Sequence, residues 1–151
     1  MREVIGDLWT YSAPNKIVMI TTNGYVKING EAVMGRGTAL QAAQRYPQLP
    51  KLLADDLRQT RLRVVFLPVI SSSERIWIGV FPVKYKWNQK ASLELIVKSA
   101  KELAQFAGLS FNETKTFILP RPGCGNGQLH WSEVKPLIEN ILPHNVWVIS
   151  R

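Results

Sequence analysis

A single cysteine in 151 residues, Cys124, rules out an internal disulfide. With only two histidines beside it, His130 and His144, it also argues against a tight structural zinc site. No apolar run approaches the length of a membrane span, and the opening MREVIGDLW carries no secretory-signal pattern. The expectation is a cytoplasmic protein with no membrane association, no metal and no cofactor. Internal repeats, low-complexity tracts and linkers are missing too, which at this length predicts one domain over residues 1–151. No G-K-[ST] tail follows any glycine cluster, which sets aside a P-loop NTPase. Acidic residues are scarce: 11 stand against 19 Lys and Arg, a net charge of +8. Such a field suits nucleic acids and small phosphorylated ligands. The cations are scattered from Arg2 to Arg151 without a basic run, so a solubilising surface explains them equally well and charge alone names no partner.

What is present is a globular composition, 46% hydrophobic and 20% charged. Apolar, β-branched runs recur at KIVMITT (16–22), LRVVFLPVI (62–70), RIWIGVF (75–81), TFIL (116–119) and NVWVIS (145–150). Their near-continuous hydrophobicity predicts strands buried on both faces of a sheet. Helical spacing separates them. In ASLELIVKSAKELAQFA, Leu93, Ile96, Val97, Ala100, Leu103, Ala104 and Ala107 share one face; in SEVKPLIENIL, Val134, Leu137, Ile138, Ile141 and Leu142 do so. Pro136 is expected in the first turn of that last helix, where its missing N–H does least harm. GTALQAAQRYPQL reads as a third helix, with Thr38 and Gln41 at capping-box spacing and Pro47 as its break. Alternating strands and helices predict a layered α/β domain with helices on both faces. YVKINGEAV, residues 25–33, reads as a tight Asn29-Gly30 hairpin beside the next loop.

Two glycine clusters lie next to strand-like runs and ahead of helices: VMGRGTALQ, with Gly35 and Gly37, and LPRPGCGNGQLHW, with Gly123, Gly125 and Gly127. Glycine costs conformational entropy, so its repetition signals positive φ or a close backbone approach. A helix N-terminus has unpaired N–H groups, and glycines in front of it let an anion reach them. Two such cradles suit a diphosphate held between them. The rival readings are weaker fits. GRGTAL lacks the third glycine of a dinucleotide fingerprint, and Asp55 and Asp56 fall within helical spacing and not at a strand end. Two tight turns with no ligand remain the plain alternative.

GDLW at 6–9, ITTNG at 20–24, VMGRGTAL, FPVKYKW at 81–87 and LPRPGCGNGQLHW together resemble a macro domain, in the family's order and over nearly the whole chain. The resemblance implies a three-layer α/β/α sandwich with a central mixed sheet, binding ADP-ribose or an ADP-ribosylated macromolecule. The F-P-x-K-x-x-W spacing is similar to the lysine-dependent subgroup, which holds the terminal ADP-ribose glycohydrolase and the DarG macro domains that remove ADP-ribose from DNA bases. By position, the resemblance implies adenine recognition by Asp7 and Leu8 and a distal-ribose contact from Asn23. It further implies that the backbone of Met34, Gly35, Arg36 and Gly37 and of Gly123, Cys124, Gly125, Asn126 and Gly127 wraps the diphosphate and ribose. Lys84 matches the catalytic lysine, acting on the anomeric carbon of the distal ribose. Gly127 stands where the terminal glycohydrolase has an aspartate, which favours the DarG-like branch, while the longer hairpin after Asn23 leaves the carrier open. Three alternatives stand beside hydrolysis: a non-catalytic ADP-ribose reader, an ADP-ribose 1″-phosphate phosphatase and a basic nucleic-acid-binding domain.

Other residues attract attention. Cys124 has no histidine placed to activate it and reads as a packed loop residue. His130 reads as a surface or capping residue ahead of the last helix. Trp87 suits either stacking on a base or packing on a helix. Arg36, between two glycines, is placed to meet phosphate or to stay solvated.

Overall fold

A computed structural model describes residues 1–11 and 13–151. Its centre is a six-stranded mixed sheet in the order β1-β6-β5-β2-β4-β3. The strands are β1 (Arg2–Ile5), β2 (Lys16–Asn23), β3 (Val65–Ser71), β4 (Glu74–Lys84), β5 (Thr116–Pro120) and β6 (Val146–Ser150). Every neighbouring pair is parallel except the β3–β4 hairpin. Among the described residues the α-helices are α1 (Gly37–Arg45), α2 (Leu49–Gln59), α3 (Leu93–Ala107) and α4 (Trp131–Ile138).

Strand alternation divides the core in two. Ile17 and Met19 of β2 join Phe81, Phe117, Leu119 and Val148 beneath α3 and α4. Ile20, from the opposite face of the same strand, packs with Val65, Val69, Ile78 and Val80 beneath α1 and α2. The far half of that second face is closed by a 3-10 turn at Leu8–Tyr11, whose Leu8 buries against Val18, Ile118 and Ile149.

Each helix boundary has a local cause. The Ser92 hydroxyl caps α3 by accepting from the Leu95 N–H at 3.2 Å, and the helix stops at Gly108. Pro47 separates α1 from α2, and Pro50 opens α2 at a position where its missing N–H is harmless. The Thr38–Gln41 capping box does not form. Arg36 is the N-cap of α1 with no side-chain cap, the Thr38 hydroxyl instead bonds β2 at Thr21, and the Gln41 amide oxygen accepts from the Trp9 indole. Pro136 is the sixth residue of α4, not part of its first turn, because the Glu133 carboxylate accepts from the His130 N–H and fixes the start earlier. The helix accordingly ends at Ile138, and Leu137 is exposed.

The expectation of strands buried on both faces fails at the sheet edge. In β3, Val65, Leu67 and Val69 are buried while Pro68 and Ile70 face solvent, as an outer strand paired on one side only would be. The 25–33 segment is a hairpin closed by a three-residue turn, with Lys27 N–H donating to the Glu31 carbonyl and Gly30 N–H to that of Lys27. Gly30, at φ +88, takes the left-handed position that ends such a turn.

Asn145 joins three elements at the opposite end of the sheet. Its buried amide donates to the carbonyls of Ala107, Asn112 and Lys115 at 3.0, 3.4 and 3.3 Å. Asn145→Ala leaves those carbonyls short of a donor and lowers stability by about 1–3 kcal/mol in urea unfolding. A loss below about 0.5 kcal/mol would show that this junction does not depend on the amide.

Candidate functional site

β2 and β4 run parallel and stop at one level, at Asn23 and Lys84, while β5, parallel to β2 on its other side, stops sooner, at Pro120. In open α/β sheets a crevice forms beyond such carboxyl ends. Here it is a cleft of about 380 Å³. Its floor is Thr22, Asn23, Val83 and Lys84, and its walls are two loops, one from Val33 to Gly37 and one from Pro120 to Gly127.

The loops offer donors. Among the described residues, the N–H groups of Gly35, Arg36 and Gly37 and of Gly125, Asn126 and Gly127 donate to no protein acceptor. The first set leads into α1, whose uncapped first turn adds the helix's positive end. The second set differs from expectation. α4 starts only at Trp131 and is capped by its own Glu133, so this wall is a nest of loop amides and not a helix terminus.

The glycines separate by cause. Gly127 is fixed by packing, since a Cβ there would sit 2.6 Å from the Gly123 carbonyl oxygen. At Gly123, with φ +77, a Cβ would meet Ile96 at 2.8 Å. At Gly35 and Gly125, by contrast, a Cβ would meet nothing within 4 Å. Nothing in the protein's own packing or φ demands glycine at those two positions, which border the open cleft. A ligand approaching the backbone would.

Lys84 is held at the floor. The Pro82 carbonyl before it accepts from Ser99 at 2.7 Å, and the Val83 carbonyl from the Ser92 N–H at 2.8 Å, so α3 fixes the strand end. The Lys84 amine donates to the Trp87 carbonyl at 3.1 Å. Burial, and secondarily the Arg36 guanidinium, lower its pKa below the ordinary lysine value, because both disfavour the ammonium form. Asn23 pairs in register with Lys84. Its amide spans the hairpin base, donating to the Val33 carbonyl at 3.1 Å and accepting from the Tyr25 N–H at 2.9 Å. Cys124 lies outside the cleft, half-buried, its thiol pKa raised chiefly by burial, so it is poorly suited to act as a nucleophile.

No protein-family model matches the chain. The macrodomain of Thermus aquaticus DarG, a solved structure, superposes with a TM-score of 0.78 at 27% identity, over 99% of this chain and 97% of that one. The chain has a macro-domain fold. It is also similar to Thermosipho africanus DarTG solved in complex with ADP-ribose, at 21% identity and TM-score 0.76, covering 98% of this chain and 41% of that one. In sequence, a DNA ADP-ribosyl glycohydrolase of Thermus aquaticus is 27% identical over 128 residues. That match takes in 80% of this chain and spans 35% of the relative's length.

Ten of the thirteen residues singled out in the sequence line this one cleft: Asn23, Met34 to Gly37, Lys84, Gly123 and Gly125 to Gly127. Asp7, Leu8 and Cys124 do not. Leu8 is core, and Asp7 follows β1, where the Gly6 N–H donates to the Ser150 carbonyl at 2.8 Å. Ser150 borders a shallower hollow that also contains Cys124 and shares Arg121 and Gly125 with the cleft. Arg121 and Thr22 went unnoticed in the sequence. Strand alternation beside Asn23 could have flagged Thr22, whose buried hydroxyl has no partner among the described residues.

The glycine contrast is testable by urea unfolding. Gly127→Ala is expected to cost about 1–3 kcal/mol through overpacking, and Gly125→Ala to stay within about 0.5 kcal/mol. Equal losses would contradict the division.

Proposed function

We propose that this macro domain binds ADP-ribose in the cleft and hydrolyses an ADP-ribosyl bond to DNA, with Lys84 as the catalytic residue. The observation that carries the reading is the meeting of two donor-rich loops with a partly buried amine on one floor. Free backbone N–H groups on opposite walls suit a diphosphate, which needs many donors and no counter-ion of fixed position. Arg36 adds charge at the rim, where Arg121, paired with Glu3 at 3.8 Å, also lies. The distal ribose then lies over Asn23 and Lys84, while adenine extends past Arg121 and Gly125 toward the hollow beside Ser150.

The chemistry follows from the amine's surroundings. A neutral Lys84 attacks the anomeric carbon as that carbon's bond to the DNA base breaks, leaving an adduct that water then cleaves, or it takes a proton from the water that displaces the base. Its lowered pKa raises the fraction able to do so. The likeness to the Thermus aquaticus DNA ADP-ribosyl glycohydrolase supports DNA as the carrier. Gly127 supports the same branch, since its surroundings leave no room for an aspartate side chain in this loop conformation. A reader module without catalysis is the second reading. It is favoured by one observation, the tether of the Lys84 amine to the Trp87 carbonyl.

The experiment is a time course of ADP-ribose release from an oligonucleotide carrying ADP-ribose on a thymine base. Release is expected from the wild type and a loss of at least about a hundredfold in Lys84→Ala, with free ADP-ribose binding retained. Binding without release by either protein would favour the reader. For the wild type, kcat/KM is expected to rise with pH to a plateau whose midpoint lies below the ordinary lysine range, because the neutral amine is the active form. A rate that falls as the amine loses its proton would assign Lys84 an electrostatic role instead.

A further inference from the structure

Between β4 and α3 the chain crosses the mouth of the cleft as Tyr85-Lys86-Trp87-Asn88-Gln89-Lys90, and all six residues are exposed. Tyr85 and Trp87 present 53% and 51% of their surface, a large apolar area for a segment with no core to cover. The segment is nevertheless pinned. The Tyr85 carbonyl accepts from the Gly24 N–H at 3.1 Å, the Gln89 N–H donates to the Lys86 carbonyl at 3.2 Å, and the Gln89 side chain accepts from the Lys86 N–H at 3.2 Å. At its far end the Ala91 N–H donates to the Gly127 carbonyl at 3.0 Å. The base of the 25–33 hairpin is thereby joined to it, bringing Tyr25, also 43% exposed, onto the same rim.

The charge is one-sided. Among the described residues, Lys84, Lys86, Lys90 and Arg36 form no ion pair with a carboxylate, whereas Lys27, Arg58, Arg63, Lys98 and Lys135 elsewhere do. Exposed aromatic rings interleaved with unneutralised lysines on a fixed turn form a stacking platform beside phosphate contacts, the arrangement that holds single strands.

We propose that the 85–90 turn holds the DNA strand on either side of the modified nucleotide, with Tyr85 stacking on a neighbouring base and Lys86 and Lys90 meeting its phosphates. The inference rests on the hydrolase reading above and adds the surface that reads the carrier. A single strand fits better than a duplex, because stacking on a protein ring requires an unstacked base and the platform borders a cleft that must receive the modified nucleotide directly.

The test measures fluorescence anisotropy of a labelled, unmodified single-stranded oligodeoxynucleotide at several salt concentrations, with wild type, Tyr85→Ala and the double variant Lys86→Gln/Lys90→Gln. Binding of free ADP-ribose to the same proteins is the folding control, since neither Tyr85, Lys86 nor Lys90 lines the cleft. Tyr85→Ala is expected to weaken oligonucleotide binding roughly tenfold with ADP-ribose affinity unchanged. The double variant is expected to weaken it and to flatten the salt dependence by about 0.7 log units per lysine removed. Oligonucleotide binding unaffected by either variant would overturn the proposal, as would competition by polyglutamate as effective as that by the oligonucleotide. Weakened binding in the variants together with no ADP-ribose release by wild type would retain this surface and reject the hydrolase reading alone.

Discussion

Two parallel strands, β2 and β4, ending at one level are the constraint on which the site depends. A strand end leaves backbone groups that the ladder no longer satisfies, and the chain must turn away. In β2 and β4 that turn happens side by side, so Asn23 and Lys84 share a floor, and the loop after β5, which ends sooner, rises beside it as a wall. The core holds this level. α3 is fastened to β4 through Ser99 and Ser92, immediately before Lys84, and Ile96 and Leu103 bury completely beneath it. Fully burying side chains of this kind contributes roughly 1.5–3 kcal/mol each, far more than any contact in the loops. The rigid part of the molecule thus positions the floor, and the loops add donors to it.

That arrangement concentrates positive potential at Arg36 and Lys84, neither of which forms an ion pair among the described residues. Arg36 and Lys84 approach each other at the cleft, and with burial this lowers the lysine's pKa. Like charges held together cost stability, and proteins tolerate the cost where a ligand of opposite charge is to be bound. A diphosphate entering the cleft would offset the repulsion and push the amine back toward its ammonium form. Tight binding of a charged product and a neutral catalytic amine therefore oppose one another.

The sequence revealed those features that depend on local chemistry. The strand runs, the α3 stripe from Leu93 to Ala107 and the two glycine clusters are periodic or compositional, and the structure contains each of them. It misled where a residue has a distant partner. Thr38 and Gln41 have the spacing of a capping box, yet Thr21 and Trp9, far along the chain, claim their side chains. Pro136 was expected in a first turn because the start of α4 is set by Glu133, a choice that apolar spacing cannot register. β1 has too few apolar residues to stand out and exists through pairing with β6, the last strand of the chain. The glycines illustrate both outcomes. Their repetition was visible, but only three dimensions separate Gly123 and Gly127, crowded by their neighbours, from Gly35 and Gly125, bordered by open space.

The central claim is that the two loops form a single ligand site. An NMR titration of the ¹⁵N-labelled protein with ADP-ribose tests it directly. The account predicts that the amide resonances of Gly35, Arg36 and Gly37 and those of Gly125, Asn126 and Gly127 shift together along one saturating curve. Shifts confined to one loop, or clustered at the separate groove around Phe66, Trp77 and Phe106, would contradict it.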